Sequence, residues 1–239
     1  MNSKPSKNPK IQRSIPSNLQ VLYEDNHLII VNKRPGDIVQ GDKTGDIPLS
    51  EVVKEYLKIK YNKPGNVFLG VVHRLDRPTS GIVVFARTSK ALPRLNALFS
   101  QGKTKKTYWA MVKKSPQKTT DTLIHWLVRN PKQNKSYAHA SEVPNSKKAI
   151  LSYRILNELD NYTLLEIDLK TGRHHQIRAQ LAAIDCHIKG DLKYGAQRSN
   201  PNGSIHLHAR SLEFEHPVKK EPVQCIAPTP KDPLWKLVD

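Results

Sequence analysis

Between Phe68 and Thr88 the chain reads FLGVVHRLDRPTSGIVVFART, two apolar runs, VVHRL and GIVVFA, joined by the polar segment DRPTS. Runs rich in β-branched residues and bounded by turn formers favour strands. The fold must therefore frame a polar connection with stiff β structure, the setting in which functional side chains are held accurately. Asp76 and Thr79 lie in that connection. Two-residue spacing places Arg74 and Asp76 on one strand face if the first strand reaches that far, and His73 on the other as a structural hydrogen-bonding residue.

The remaining pattern extends the same architecture. LQVLYEDNHLIIVNK predicts two short strands about an Asp25-Asn26 turn, followed by the loop RPGDIVQGDKTGD. Ser50 is placed to cap a helix over EVVKEYLK, with Val52, Val53 and Tyr56 on one face, and Ser89 to cap a helix over residues 90–99. KKTYWAMVK reads as a strand whose alternation sends Tyr108 and Trp109 to opposite sides. Residues 115–148 show little periodicity beyond DTLIHWLV and predict irregular connections and strand edges, with a solvated loop around 130–148. ILSYRILNELDNYTLLEIDLK predicts a hairpin turning at Asp160-Asn161, then a helix from about His174 to Ile184 with Ile177, Leu181 and Ile184 on one side. In that helix Arg173 and Ile177, and His174 and Arg178, are four residues apart and pair along the surface. SIHLHARSLEFEHP supplies the last strands. Many strands with few helices favour an α+β fold, a mixed or antiparallel sheet with flanking helices around a central basic cleft.

The expected organisation is a flexible basic arm over residues 1–18, a catalytic domain over 19–220 and a C-terminal tail over 221–239. The arm holds four cations, three prolines and no acidic residue. Over the whole chain 39 Lys and Arg face 21 Asp and Glu, a formal charge of +18, which attracts polyanions without distinguishing RNA from DNA or an anionic membrane. The polar N-terminal segment lacks the apolar core of a secretory signal, and no apolar run reaches the roughly 20 residues that cross a bilayer. Cys186 and Cys225 form no short pair, so neither a disulfide scaffold nor a thiolate zinc site is indicated, and a reducing cytoplasmic setting fits.

Chemistry concentrates in three ordered segments. Gly70-Val-Val-His-Arg-Leu-Asp-Arg-Pro-Thr-Ser-Gly81 closely resembles the H-R-L-D-x-x-T-S-G signature of the RluA-type pseudouridine synthases. Lys106-Thr107-Tyr108-Trp109-Ala110-Met111-Val112 resembles that family's K-x-Y-x-A-x-V element, and Gly172-Arg173-His174-His175-Gln176-Ile177-Arg178-Ala179-Gln180-Leu181 its G-R-x-H-Q-I-R-x-Q-L element. Gly190-Asp191-Leu192-Lys193-Tyr194-Gly195 and Ile205-His206-Leu207-His208-Ala209 keep the family order, and the likeness runs from about Leu19 to Pro217. The resemblance implies Asp76 as the essential catalytic residue, Tyr108 as the active-site tyrosine, Arg173 as partner of the carboxylate and Leu181 packed near the target base. Arg74 corresponds to the residue that fills the space left by a flipped nucleotide or holds its phosphate. Thr79, Lys106, Ile177 and Arg178 complete the expected substrate-binding set. Lys33 sits on an N-K-R-P-G segment resembling the family's N-K-P-x-G loop, with Arg34 inserted before Pro35.

Physical reasoning reaches part of the same assignment. Making pseudouridine requires cleavage of C1′–N1, rotation of the uracil and formation of C1′–C5. A carboxylate serves by attacking C1′ or by assisting proton loss from C2′, and the sequence leaves both routes open. Each needs an ionised group, which a nearby guanidinium favours and orients. A uridine in helical RNA must also leave its stack. The ten histidines include no H-E-x-x-H and no deaminase zinc pattern, and the isomerisation is redox neutral, so neither cofactor nor metal is expected. The rivals are an RNA-binding module that has lost turnover, which damage at Asp76, Tyr108 or Arg173 would betray, and a metal-dependent nuclease, which needs clustered ligands. The expected protein is a cytoplasmic monomer acting on structured rRNA or tRNA without an obligatory protein partner. Too little sequence precedes Leu19 for an S4-like RNA-binding domain, so binding is expected to rest on the catalytic domain, its loops and the arm.

Overall fold

A computed structural model describes residues 12–238. In chain order it contains β1 (Val21–Glu24), β2 (Leu28–Lys33), α1 (Leu49–Lys60), β3 (Gly70–Val71), β4 (Ser80–Ala86), α2 (Ala91–Ser100), β5 (Thr104–Val112), β6 (Thr120–Asn130), β7 (Lys135–His139), β8 (Lys147–Glu158), β9 (Thr163–Leu169), α3 (Gln176–Ala183), β10 (Leu207–Glu215) and β11 (Pro222–Ile226). The strands form one sheet in the order β1-β2-β4-β10-β5-β9-β8-β6-β7, with β3 beside β4 and β11 beside β10. Among the described residues every pairing is antiparallel except β4 with β10, so the sheet is mixed and the class α+β.

β2 and β4 are buried along their whole length because both faces are covered. Alternation sends Ile29, Val31, Val83 and Phe85 against Leu49, Val53 and Leu57 of α1. Leu28, Ile30, Ile82 and Val84 pack with Ala91 and Leu95 of α2. α3 covers a third region, where Ile177 and Leu181 meet Tyr108, Ala110, Leu165 and Ile167. A register shift between Ala209 and Ser211 lets β10 bury Leu207 and Ala209 near α3 and then Leu212 and Phe214 near α2, a change from odd to even positions that a regular strand could not make on one face.

The turns at Asp25 and at Asp160-Asn161 lie where the pattern puts them; the Asp25 carboxylate accepts from the backbone N–H groups of His27 and Leu28 at 2.8 Å. Several local expectations are corrected. Residues 115–148, expected as irregular connections and strand edges apart from DTLIHWLV, contain the long strand β6, which includes that stretch and pairs with β8, and strand β7, which pairs with β6 inside the expected solvated loop. Ser50 lies inside α1 and Pro48 precedes the helix. Thr88, not Ser89, caps α2, its hydroxyl accepting from Ala91 N–H at 3.2 Å. Part of the expected C-terminal tail joins the fold: β11 pairs with β10, and Trp235 is buried against Met111 and Leu164. Residues 1–11 of the expected arm lie outside the described residues, while Ser14 is buried and its hydroxyl donates to Asp37 at 2.6 Å.

Candidate active site

Asp76 stands in the connection between β3 and β4. The first strand ends at Val71, so the chain reaches Asp76 as a loop that closes in a turn, Thr79 N–H donating to Asp76 O at 3.0 Å. The expected strand-face pairing of Arg74 with Asp76 therefore does not apply. Lys33 fixes the loop from below. Its buried ammonium donates to the carbonyls of Arg34, Arg77 and Thr79 at 3.0, 3.1 and 2.6 Å. Burial pushes its pKa down to about 7 against the opposing pull of Asp37 and Asp76. His73 accepts from Val84 N–H at 3.0 Å and stacks on Phe99; its enclosure pushes its pKa down to about 3, keeping the ring a neutral acceptor. Gly81, φ 113°, ends the loop where β4 meets β10: a Cβ there would lie 2.4 Å from Ala209 O, so only glycine allows the strands to approach.

The cationic partner of Asp76 is Arg178. Its Nη1 donates to Asp76 Oδ2 at 2.9 Å, while Nε and Nη2 fork onto Asp191 Oδ2 and Oδ1, both at 2.7 Å. Burial alone would lower the guanidinium's pKa; the Asp191 fork and the Asp76 charge outweigh it and hold the group charged. The Tyr194 ring lies 4.9 Å from the guanidinium carbon. Arg173 is not the carboxylate's partner. It is exposed, and its Nε donates to Lys148 O at 3.1 Å. The cause is the backbone at His175, whose φ of 53° is left-handed, so a right-handed helix cannot run through it and α3 begins at Gln176. Arg173 and His174 thus lie in a turn ahead of the helix, and the surface pairs expected of a longer helix do not form. Gln176 Oε1 accepts from Arg173 N–H at 3.0 Å and from the Thr171 hydroxyl at 2.7 Å, tying that turn down.

Arg74, Asp76, Thr79, Tyr108, Arg173, Ile177 and Arg178 together line a cavity of about 110 Å³. That is small beside the roughly 300–1,000 Å³ that accommodates drug-sized ligands, and suits a group the size of one base. Tyr108 is buried in the core with Ile177 and Leu207, while Trp109 faces the other way beneath Arg210, 4.2 Å from guanidinium carbon to ring centre, as alternation requires. Burial pushes the Tyr108 phenol above its ordinary value and the Asp76 charge adds to the effect, so it stands as a neutral O–H. Thr79 Oγ1 is buried and has no hydrogen-bond partner among the described residues. Arg74 is exposed, with Nη1 3.4 Å from Gln40 Oε1.

Two expected contacts fall outside the cavity. Leu181 is fully buried in the core and does not line it. Lys106 shares a β5 face with Tyr108 by alternation but is likewise absent from the lining; burial lowers its pKa, with Asp168 opposing. The sequence reading missed Asp191, Tyr194 and His175. The first two stand in GDLKYG, where an acid and an aromatic beside glycines were visible but pointed to no partner.

Among the described residues no group of three or more His, Cys, Asp or Glu is placed to hold a metal ion, and no helix is long and apolar enough to cross a membrane. His206 is engaged by Asn200 and Asp232, and His208 by Ser80 and the Ala227 carbonyl. Both cysteines are free and buried.

Comparison with known proteins identifies the family. Residues 27–183, more than half of the chain, match the family model described as RNA pseudouridylate synthase. The chain is 34% identical over 229 residues to a ribosomal large subunit pseudouridine synthase D of Xanthomonas campestris, covering 90% of this chain and 67% of that protein. It is 32% identical over 224 residues to an uncharacterized RNA pseudouridine synthase of Synechocystis, covering 92% and 68%. The fold superposes on human RNA pseudouridylate synthase domain containing 4 with a TM-score of 0.78 at 23% identity, covering 91% of each chain. On these matches the chain belongs to the RNA pseudouridylate synthases, isomerases that convert uridine in RNA to pseudouridine.

Proposed function

We propose that Asp76 is the catalytic carboxylate of this RNA pseudouridine synthase and acts on a uridine flipped into the cavity between Tyr108, Thr79 and Ile177. The observation that carries this reading is the half-used carboxylate. Arg178 holds Oδ2, while among the described residues Oδ1 takes no hydrogen bond, in a cavity of base size. The guanidinium pairs with Oδ2 and fixes the carboxylate's direction; because Asp191 holds the other side of the fork, the arginine cannot follow Asp76 away from the substrate. The reaction breaks C1′–N1, forms C1′–C5 and moves a proton from C5 to N1. Tyr108 presents an aromatic wall and a neutral hydroxyl to the rotating uracil, and the unpartnered Thr79 hydroxyl offers a hydrogen bond to its polar edge.

Arg74, at the mouth of the cavity, takes the place of the extruded nucleotide or pairs with its phosphate. The chain is of the RluA type on its motifs, acts in the cytoplasm as a monomer, and recognises structured RNA through its excess of 18 positive charges. Ribosomal RNA is the first substrate to test, because relatives such as that of Xanthomonas campestris carry a large-subunit name, with tRNA second.

The test is Asp76→Asn. It is expected to fold, to bind RNA with near wild-type affinity and to form no pseudouridine in single-turnover assays on ribosomal and transfer RNA. Product at the wild-type rate would remove Asp76 from the chemistry. Arg74→Ala should slow modification of a structured RNA more than that of an unpaired oligonucleotide, and equal losses on both would argue against flipping.

A further inference from the structure

Asp76 has a second neighbour that neither the motif reading nor the reaction scheme uses. His175 Nε2 lies 3.6 Å from Asp76 Oδ2, the same oxygen that Arg178 holds, and the ring is almost fully buried. Its other nitrogen, Nδ1, is 3.0 Å from the Tyr194 hydroxyl. Tyr194 is itself pinned: its oxygen accepts from Ser136 N–H at 2.8 Å, and its ring packs edge-on against His175 with centroids 5.6 Å apart. On the opposite side His174 stacks on His175, centroids 3.8 Å apart, and is clamped by the Ser136 hydroxyl at 2.9 Å and Asn134 Oδ1 at 3.2 Å. An imidazole bracketed in this way has no freedom to turn.

The tautomer follows from electrostatics. If Nδ1 carried the proton and donated to Tyr194, the bare Nε2 lone pair would face a carboxylate oxygen, a repulsive contact. If the Tyr194 hydroxyl donates to Nδ1, Nε2 carries the proton and points it at Asp76. The Tyr194 proton has a second acceptor in Ser136 O, at 3.2 Å, but the contact to His175 is shorter and removes the repulsion.

We propose that His175 is a positioning residue for the reaction, whose Nε2–H, set by the Tyr194 hydroxyl, joins Arg178 in holding Asp76 Oδ2 so that Oδ1 alone is presented to the ribose. The inference rests on Asp76 being the catalytic carboxylate. The 3.6 Å separation closes to hydrogen-bond length when the nucleotide fills the cavity and displaces solvent, as active-site contacts do on substrate binding. A neutral donor suits this role because it restrains the oxygen without adding a second positive charge that would quench the carboxylate's reactivity. Burial, the largest influence, pushes the imidazole pKa down to about 3, with Asp76 pulling it up and Arg178, His174 and Lys193 pulling it down; the ring is neutral throughout the physiological range.

The left-handed backbone at His175 makes a matched pair of substitutions informative, since glutamine and methionine suffer the same backbone strain and fill similar volumes but only glutamine offers an N–H. His175→Met is expected to lower the single-turnover rate on saturating RNA roughly ten- to hundredfold, the loss of a hydrogen bond to a charged group. RNA affinity should stay near wild type. His175→Gln should recover much of the lost rate. Tyr194→Phe keeps the ring beside Arg178 but releases the tautomer, and should lower the same rate by a smaller factor, again at near wild-type affinity.

A methionine variant with the wild-type rate overturns the proposal, as do glutamine and methionine variants that are equally slow. If the methionine protein does not fold, Tyr194→Phe decides: an unchanged single-turnover rate at unchanged RNA affinity rejects the proposal. An active Asp76→Asn protein sinks the underlying catalytic assignment; normal His175 variants beside a dead Asp76→Asn sink this inference alone.

Discussion

Glu24 and Asp76 each face a buried arginine, and the two carboxylates are left in different states. Glu24, at the edge of the sheet, is saturated. Tyr56 and Lys60 donate to Oε2 at 3.1 and 2.8 Å, and Tyr61 and Arg87 donate to Oε1 at 2.6 and 3.1 Å. Among the described residues Asp76 receives its contacts on Oδ2, and its side chain is 27% exposed against 7% for Glu24. Burial and an arginine partner therefore do not set Asp76 apart from Glu24. On the proposed catalytic role, what does is valence left unsatisfied on one oxygen while the other is fixed, because a saturated anion has no lone pair directed at a substrate.

Paired substitutions separate the two networks. Arg178→Lys replaces a planar fork by a point charge that cannot bridge Asp76 and Asp191 together. It should lower the single-turnover rate by about a hundredfold or more, the scale seen when one preorganised electrostatic contact to a reacting group is lost. Arg87→Lys should leave that rate unchanged. Equal kinetic losses in the two variants would erase the distinction.

Glu24→Gln should act on stability instead. Removing the charge from a buried network is expected to cost about 1–3 kcal/mol, read from denaturant unfolding, with turnover retained. The pH dependence sharpens the point. Burial alone would raise the Glu24 pKa, but the hydrogen bonds from Lys60, Tyr61 and Tyr56 outweigh it and hold the group below its ordinary 4.5. A carboxyl with a depressed folded-state pKa contributes stability that is fully present above its unfolded value and is lost as pH falls through the folded value. Wild type should thus lose stability below about pH 4.5 more steeply than Glu24→Gln, and parallel acid curves would show that the network adds nothing.

The smallest effect is expected at Arg173. Exposed at the cavity mouth, it is placed to meet phosphate, so Arg173→Ala should weaken RNA binding a few-fold and reduce the salt slope by about one, with the rate at saturating RNA unchanged. A large rate loss with unchanged affinity would reinstate Arg173 as the partner of the carboxylate.

Much of this architecture was legible in residue order. The continuous apolar runs in LIIVNK and SGIVVFA mark β2 and β4, and the acidic turn at Asp25 and the hairpin at Asp160-Asn161 carry their own turn chemistry. Tyr108 and Trp109 face apart because neighbours on a strand must. The polar connection holding Asp76 was visible as a break between apolar runs. β7 was not legible, and β6 only in its DTLIHWLV stretch, since the polar remainder of β6 is held by pairing to β8, and β7 by pairing to β6, and not by their own propensity.

What the sequence determined by itself is the set of parts: the strands, the loop with its carboxylate, the tyrosine and a segment supplying arginine. Which arginine reaches Asp76 was decided only in three dimensions. Periodicity sees neighbours within a few residues, whereas the Asp76–Arg178 contact joins positions 102 apart. It also depends on the sign of one backbone angle at His175, which the identity of a histidine does not specify and which the packing of α3 against the sheet selects.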